Sequence, residues 1–187
     1  EVHEADGTTF DVNRGGEPHQ LQGDAILRAM LAGEMSNSLG NKLVATDLLL
    51  LLADELAAAV QGVSFTEDLL TLFILVTRAQ RFPHVPDPLY RYLRRPTSVT
   101  LTGDADAIVR NLESLGRVYD YIRAELARRA EPPGLVHEFF TREFVFLAVD
   151  HFRRARRAGT GAPAGLPESP ASLGLLGAIV AHRLFVD

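Results

Sequence analysis

The length of 187 residues and the hydrophobic fraction of 47% fit one domain with a sizeable core and a small appendage. The formal net charge of −5 gives no basic field of the kind that binds nucleic acid, and the absence of Cys excludes disulfides and Cys-ligated zinc. No signal peptide is recognisable, and the apolar runs at 48–52 and 173–180 are too short to cross a bilayer. We therefore expect a soluble protein in a reducing, cytoplasmic compartment.

The first part of the chain is predicted to pass from strands into a helix. Two short extended segments within residues 1–13 flank an Asp-Gly pair at 6–7, which is a hairpin turn signal. A polar loop follows, and Gly23 then precedes a helix that ends at Gly33. The apolar positions of this helix recur at helical spacing and should face a core: Ile26, Leu27, Met30 and Leu31.

Two further helices are predicted in the middle of the chain. The second helix runs from 46 to 60, and Gly62 ends it. The third runs from 64 to about 80. Its start has the pattern of a capping box, in which the side chains of Ser64 and Glu67 accept hydrogen bonds from each other's backbone N–H groups.

The remainder of the chain is predicted to be mostly helical. Residues 81–100 alternate in polarity and are rich in Pro, which predicts an extended segment followed by a loop. Asp104 then begins a long helix that the Pro-Pro pair at 132–133 ends, and a Phe-rich helix continues to about 157. The long helix carries one apolar stripe at spacings of three and four: Ile108, Leu112, Leu115, Val118, Ile122 and Leu126.

The adjacent carboxylates Glu67 and Asp68 admit two interpretations. As structural residues they interact favourably with the dipole of the helix they begin, and a cap contributes ~1 kcal/mol. As functional residues they offer an ionised carboxylate at a helix N-terminus, which can accept a proton from a sugar hydroxyl as that hydroxyl attacks. The two interpretations are compatible if Glu67 closes the cap while Asp68 faces a cleft.

The block from 41 to 100 resembles the later half of a family-2 glycosyltransferase of the GT-A type. The matching pieces stand in the family's order: "NKL" at 41–43, a Leu-rich helix, "TED" at 66–68 followed by "LL", and, after an apolar helix, "DPLYRYLRRPTSVT" at 87–100. The resemblance implies an α/β fold, predominantly helical in this chain, that is a partial GT-A (Rossmann-like) domain with a helical C-terminal extension.

This resemblance suggests a division of the chain into domains. Residues 1–102 would form the later half of a GT-A-like domain, and residues 103–157 would form the helical extension. Residues 158–170 are rich in Gly, Ala and Pro and are predicted to be a flexible linker, with a terminal helix at 171–187. The family's nucleotide-binding first half is not recognisable in this chain, which implies that it belongs to an earlier segment of the gene product or to a separate chain.

The resemblance also assigns roles to individual residues. In the family, the Asp of the Glu-Asp motif is the general base that activates the acceptor hydroxyl, so the catalytic pair would be Asp68 with Glu67 beside it. Lys42 matches a lysine that commonly lies near the active site. The loop after the Tyr-x-Tyr strand often lies by the donor's diphosphate in the family, which implies three binding residues here: Arg94, Arg95 and Ser98.

The implied reaction transfers a sugar from a nucleotide-diphosphate donor to an acceptor hydroxyl, usually with inversion, in polysaccharide or glycoconjugate synthesis. The charge on the leaving diphosphate would be balanced by Mg²⁺ or Mn²⁺ and by Arg or Lys. The metal ligands implied by the family are not in this chain. Asp104 and Asp106 form an Asp-x-Asp, but they begin an amphipathic helix, where capping is the better explanation.

Other features leave alternatives open. A basic cluster near a helix C-terminus is explained by the helix dipole and solvation, or by peripheral contact with an anionic membrane or a lipid-linked acceptor: Arg153, Arg154, Arg156 and Arg157. His137 and His151 lie among Phe residues, where a packed histidine is the usual case. The alternative function is a non-catalytic helical interaction module, in which "TED" only caps a helix and a partner or second copy covers exposed apolar surface.

Overall fold

The structure is a computed structural model, and the described part of the chain is mostly helical. It describes the following residues: 2–3, 9–10, 20–84, 92–93 and 104–157. The chain divides into two compact units. The first unit comprises residues 1–60 and 68–101, and the second comprises residues 61–67 and 102–187.

Short paired strands belong to the first unit. Strand β1 (Val2–His3) pairs antiparallel with β2 (Thr9–Phe10), which confirms the predicted hairpin pairing, while the turn between them lies outside the described residues. Strand β3 (Gln20–Gln22) pairs antiparallel with β4 (Arg81–Pro83). Strand β5 (Tyr92–Leu93) runs parallel to β1, so residues far apart in the sequence share one small sheet.

Helix α1 (Asp24–Ala32) lies where the sequence predicts a helix, whereas the preceding strand β3 was not predicted. Gly33 ends the helix with φ 76°, a left-handed conformation that glycine adopts without steric cost. At the other end, the Gly23 N–H donates to Gln80 O at 3.1 Å, which ties the start of the helix to the chain just before β4. The four predicted apolar positions are each at most 1% exposed and confirm the predicted core face: Ile26, Leu27, Met30 and Leu31.

The predicted second helix is two helices. Helix α2 (Thr46–Leu51) and helix α3 (Ala53–Val60) are separated at Leu52, whose φ of −106° and ψ of 5° interrupt the helical backbone. Leu52 is only 4% exposed, although neither helix contains a buried residue. No Gly or Pro in the local sequence marks this break.

Helix α4 (Glu67–Val76) is shorter than predicted, and the predicted capping box is wrong. Thr66 has φ 62°, which a β-branched residue rarely adopts, so the helix cannot extend back to residue 64. Ser64 is therefore outside the cap position, and its hydroxyl lies 3.4 Å from Ser114 Oγ. From Leu69 onward every residue of the helix except Thr71 is buried, as expected for a segment without a polar face: Leu69, Leu70, Leu72, Phe73, Ile74, Leu75 and Val76.

The second unit is built on helix α5 (Ala105–Arg129), which agrees with the predicted long helix. Asp104 is its N-cap, and Asp104 Oδ1 accepts a hydrogen bond from the Ala107 N–H at 2.7 Å. The capping interpretation of the Asp-x-Asp is thus confirmed. All six residues of the predicted apolar stripe are at most 3% exposed: Ile108, Leu112, Leu115, Val118, Ile122 and Leu126.

The Phe-rich segment continues this unit. Helix α6 (Pro133–Phe140) begins with a proline, whose fixed φ and missing N–H suit a first helical turn. A π-helical turn (Thr141–Val145) joins it to helix α7 (Phe146–Arg157). The predicted break at the Pro-Pro pair is confirmed. Arg157 is the last described residue of α7, so the predicted end of this helix near residue 157 stays a prediction.

The remaining sequence predictions concern the C-terminal residues and the location of the protein in the cell. The predicted linker at 158–170 and terminal helix at 171–187 lie outside the described residues. Within the described residues, none of the helices combines the length and the apolar composition needed to cross a bilayer. The cytoplasmic location stays a prediction.

The end of α5 provides a test of the backbone geometry. Ala130 ends the helix with φ 54° and ψ 40°, a left-handed conformation in which its Cβ is unfavourable. Ala130→Gly should therefore raise the free energy of unfolding by about 1 kcal/mol. The same substitution at Ala124, an exposed position inside α5, should lower it by about 1 kcal/mol. Chemical denaturation of both variants measures the difference, and a loss of stability at both positions would contradict the left-handed cap.

Candidate functional site

The acidic pair Glu67 and Asp68 forms the start of α4. Both side chains are exposed, whereas the next two residues of the helix are buried. Asp68 is therefore accessible to a solute at the end of a helix whose dipole favours a carboxylate. These are the requirements that a general base at this position has to meet, and its catalytic role stays a prediction.

The predicted diphosphate-binding residues cannot be placed beside this pair. They lie outside the described residues: Arg94, Arg95 and Ser98. Strand β5, which carries the second Tyr of the Tyr-x-Tyr sequence, precedes them directly in the chain. Their assignment to the donor's diphosphate therefore stays a prediction.

Lys42 lies in a loop that closes on its own ammonium group. Lys42 Nζ donates to Ser36 O at 2.8 Å, to Ser38 O at 3.1 Å and to Asn41 Oδ1 at 2.5 Å. An ammonium has three N–H groups, so three acceptors within residues 36–42 occupy all of them. Lys42 thus holds this loop together. Its predicted role near the substrate requires that at least one of these three bonds be exchanged for a bond to the ligand.

The titration of Lys42 can be measured directly because it is the only lysine in the chain. Burial lowers the pKa of its ammonium from the ordinary 10.5 to about 8. Protein labelled with ¹³Cε-lysine should give one signal with a midpoint near pH 8 when folded and near 10.5 in denaturant. A folded midpoint near the ordinary value would contradict the burial of this amine.

The same shift has a consequence for stability. Between pH 8 and pH 10.5 the folded protein has lost the Lys42 proton while the unfolded chain retains it. Because the unfolded state then binds more protons, Lys42 makes the free energy of unfolding increase with pH over this range. Lys42→Met should lack this increase, which provides a second measurement of the same group.

The two histidines among the Phe residues differ in their surroundings. His151 is 2% exposed, and desolvation by burial lowers its pKa, so it is a packed, neutral side chain as predicted. His137 is exposed on α6, so the prediction that it packs in the core is wrong. The reason is its position on the helix, because the buried face of α6 is formed by Phe139.

The basic cluster lies in the last turns of α7. Arg154 Nη2 lies 2.6 Å from Asp150 Oδ2 one turn earlier, and Arg153 is exposed. The side chains of Arg156 and Arg157 lie outside the described residues. An ion pair within the helix and proximity to a helix C-terminus fit the structural interpretation of the cluster. Peripheral membrane contact stays a prediction.

The described part of the chain does not bring together the side chains that a divalent cation would need as ligands. Within it, no three His, Asp or Glu side chains converge as a metal site requires. Asp104, the first residue of the Asp-x-Asp, is engaged as the cap of α5. The Mg²⁺ or Mn²⁺ implied by the resemblance stays a prediction.

Sequence reasoning missed the partner of the turn that precedes the acidic pair. The Ser64 N–H donates to Ser114 Oγ at 3.1 Å, and Ser114 is 2% exposed. The two serines are separated by 50 positions, so no local pattern indicates that they meet. The only available signal was a polar residue, Ser114, next to the apolar stripe of a long helix.

Fold and site together define a mostly helical protein with an exposed acidic pair at the start of a buried helix. Comparisons with protein-family models, curated proteins and solved structures find no match to this chain.

Proposed function

We propose that this chain is the later part of a nucleotide-sugar glycosyltransferase of family 2 and GT-A type. The observation that carries the proposal is the exposure of Asp68 in the first turn of α4, within the ordered set of motifs that resembles this family. The fold inferred from the resemblance is the later part of a GT-A-like domain followed by a helical extension. The predominance of helices in the described residues is compatible with that inference.

In the proposed reaction, Asp68 accepts the proton of an acceptor hydroxyl as its oxygen attacks the anomeric carbon. The new bond forms between that oxygen and the anomeric carbon while the bond to the donor's diphosphate breaks. The diphosphate leaves with the electron pair, and a single displacement inverts the configuration. The proposed role of Arg94, Arg95 and Ser98 is to balance the charge of the leaving group.

The proposal is tested with the complete gene product, a panel of nucleotide sugars, hydroxyl acceptors and added Mn²⁺. We expect transfer from one donor class, with an inverted anomeric configuration in the product. Residues 1–187 alone should bind the donor weakly or not at all, because the family's donor-binding half is not recognisable in them. Tight, metal-dependent nucleotide binding by residues 1–187 alone would contradict this account.

A second candidate function is a non-catalytic interaction module, which one observation favours. Large apolar side chains at the end of α2 and in the loop before it are exposed, with Leu50 71%, Leu51 75% and Leu43 99% accessible. Exposed apolar patches are typical of contact surfaces. The two candidates differ in their response to Asp68→Asn, which should abolish transfer but leave binding to a protein partner unchanged.

A further inference from the structure

The turn before the acidic pair, residues 62–66, belongs to the second unit and is held within that unit by a buried hydroxyl. The Ser64 backbone N–H donates to Ser114 Oγ at 3.1 Å, and the two hydroxyl oxygens are 3.4 Å apart. Ser114 lies on α5 and is 2% exposed. This hydrogen bond is partly buried and acts on the backbone itself, so it restrains the course of the chain and not only a side chain.

A ring contact anchors the next residue of the same turn. The Phe65 ring lies 4.8 Å from the His151 ring of α7, and Phe65 is 5% exposed. His151 is itself held on both sides, since its Nδ1 lies 2.9 Å from Leu147 O and its Nε2 lies 3.2 Å from Asn111 Nδ2. A carbonyl only accepts, so Nδ1 carries the proton and Nε2 accepts from the Asn111 amide. The surface that meets Phe65 is therefore a histidine of defined tautomer and orientation.

The backbone of the turn has a shape that needs such anchors. Gly62 has φ 72°, and a Cβ at this position would lie 3.0 Å from Arg117 Nη1, so the chain passes close beneath an α5 side chain. Thr66 has φ 62°, which costs about 1–2 kcal/mol for a residue with a Cβ. Such a conformation persists only where neighbouring contacts hold it. Glu67 and Asp68 follow directly in the chain.

We propose that helices α5 and α7 position the Glu67–Asp68 pair through the turn at 62–66, with Ser114 and His151 as the positioning residues. The importance of this positioning for catalysis rests on the proposed function, in which Asp68 is the base. On this proposal the helical extension contributes to catalysis, because the turn that it holds directly precedes the acidic pair in the chain.

The anchoring is tested by NMR on Ser114→Ala, in which Ser64 N–H loses its acceptor. We expect the Ser64 amide to exchange with deuterium about tenfold faster, since a net hydrogen bond of this strength is lost. The order parameters of the Glu67 and Asp68 amides should fall from about 0.85 toward 0.6. Ser64→Ala is the matched control, because it removes a hydroxyl from the same contact but keeps the backbone donor. It should change the exchange rate by less than about threefold.

If Ser114→Ala does not fold, Phe65→Leu keeps an apolar side chain but removes the ring contact with His151. It should loosen the Glu67 and Asp68 amides in the same way. Unchanged order parameters at these two amides in either folded variant would overturn the proposal.

The catalytic consequence is measured in the complete gene product. Ser114→Ala should lower kcat about tenfold without changing KM for the nucleotide sugar, because a displaced base affects the chemical step rather than donor binding. Ser114→Thr keeps the hydroxyl and should restore most of the rate. Loosened amides with an unchanged kcat would overturn the positioning role. Loosened amides in a protein that transfers no sugar would support the anchoring and refute the proposed function.

Discussion

Asp68→Asn in the complete gene product is expected to lower the rate of sugar transfer by about 10²–10⁴-fold, the usual contribution of a positioned general base. Asparagine has nearly the same size and retains a side-chain oxygen, but it cannot hold the proton that the attacking hydroxyl releases. Because Asp68 is exposed, the substitution should change the free energy of unfolding by no more than about 0.5 kcal/mol. A loss of rate without a loss of stability is the combination that identifies a catalytic carboxylate.

Asp47→Asn is the matched control for this experiment. Asp47 is also an exposed Asp in the first turn of a helix, α2, and no catalytic role is assigned to it. Its substitution removes a comparable charge–dipole interaction, which contributes only about 0.3–1 kcal/mol to stability. Because no catalytic role is assigned to Asp47, kcat should stay within about twofold of wild type. The pH dependence of kcat/KM gives an independent readout, because the acidic limb should be lost with the base. Normal transfer by Asp68→Asn would show that the base is a different group.

Phe144→Ala is expected to lower the free energy of unfolding by about 3–5 kcal/mol. Phe144 is 0% exposed and lies on the π-helical turn between α6 and α7. Its ring is 5.3 Å from Phe140, 6.1 Å from Phe139 and 5.5 Å from Tyr119 on α5. Truncation would remove three aromatic contacts and leave a cavity that surrounding rings cannot fill without leaving their own positions.

Phe146→Ala provides the control for this prediction, since it is the same substitution two positions later. Phe146 is 66% exposed, so its truncation should change the free energy of unfolding by less than about 0.5 kcal/mol. Urea denaturation followed by far-UV circular dichroism measures both variants. Two residues that are two positions apart in a helix point toward opposite faces, so one should be buried and the other exposed. Equal losses of stability at the two positions would contradict this orientation of the helical segment.

The elements that were predicted well carry their signals within a few residues. Helix α1 has a glycine at its end and apolar residues at helical spacing, and helix α5 has a capping Asp and an apolar stripe of six residues. In both, the local preference and the tertiary burial favour the same structure. The predicted carboxylates at 67 and 68 likewise lie at a helix start, although the helix begins three residues later than expected.

The elements that were predicted poorly depend on contacts between distant residues. The capping box failed because Ser64 hydrogen-bonds Ser114 instead of the start of α4, and the left-handed Thr66 intervenes. The second helix was predicted as continuous because no Gly or Pro marks the break at Leu52. For the capping box, a tertiary interaction outweighs a local preference of about 1 kcal/mol.

The sequence by itself determined that this protein is mostly helical, where its main amphipathic helices lie, and that two carboxylates stand before an apolar helix. These features follow from periodicity and capping, which act over a few residues and can be recognised without the rest of the chain. Only the tertiary structure decided that Asp68 is exposed, that the Lys42 ammonium is enclosed by its own loop, and that Ser114 and His151 hold the turn before the acidic pair. The Lys42 contacts are made within residues 36–42 and exist only once that loop has folded. The contacts of Ser114 and His151 exist only once residues far apart in the chain have been brought together.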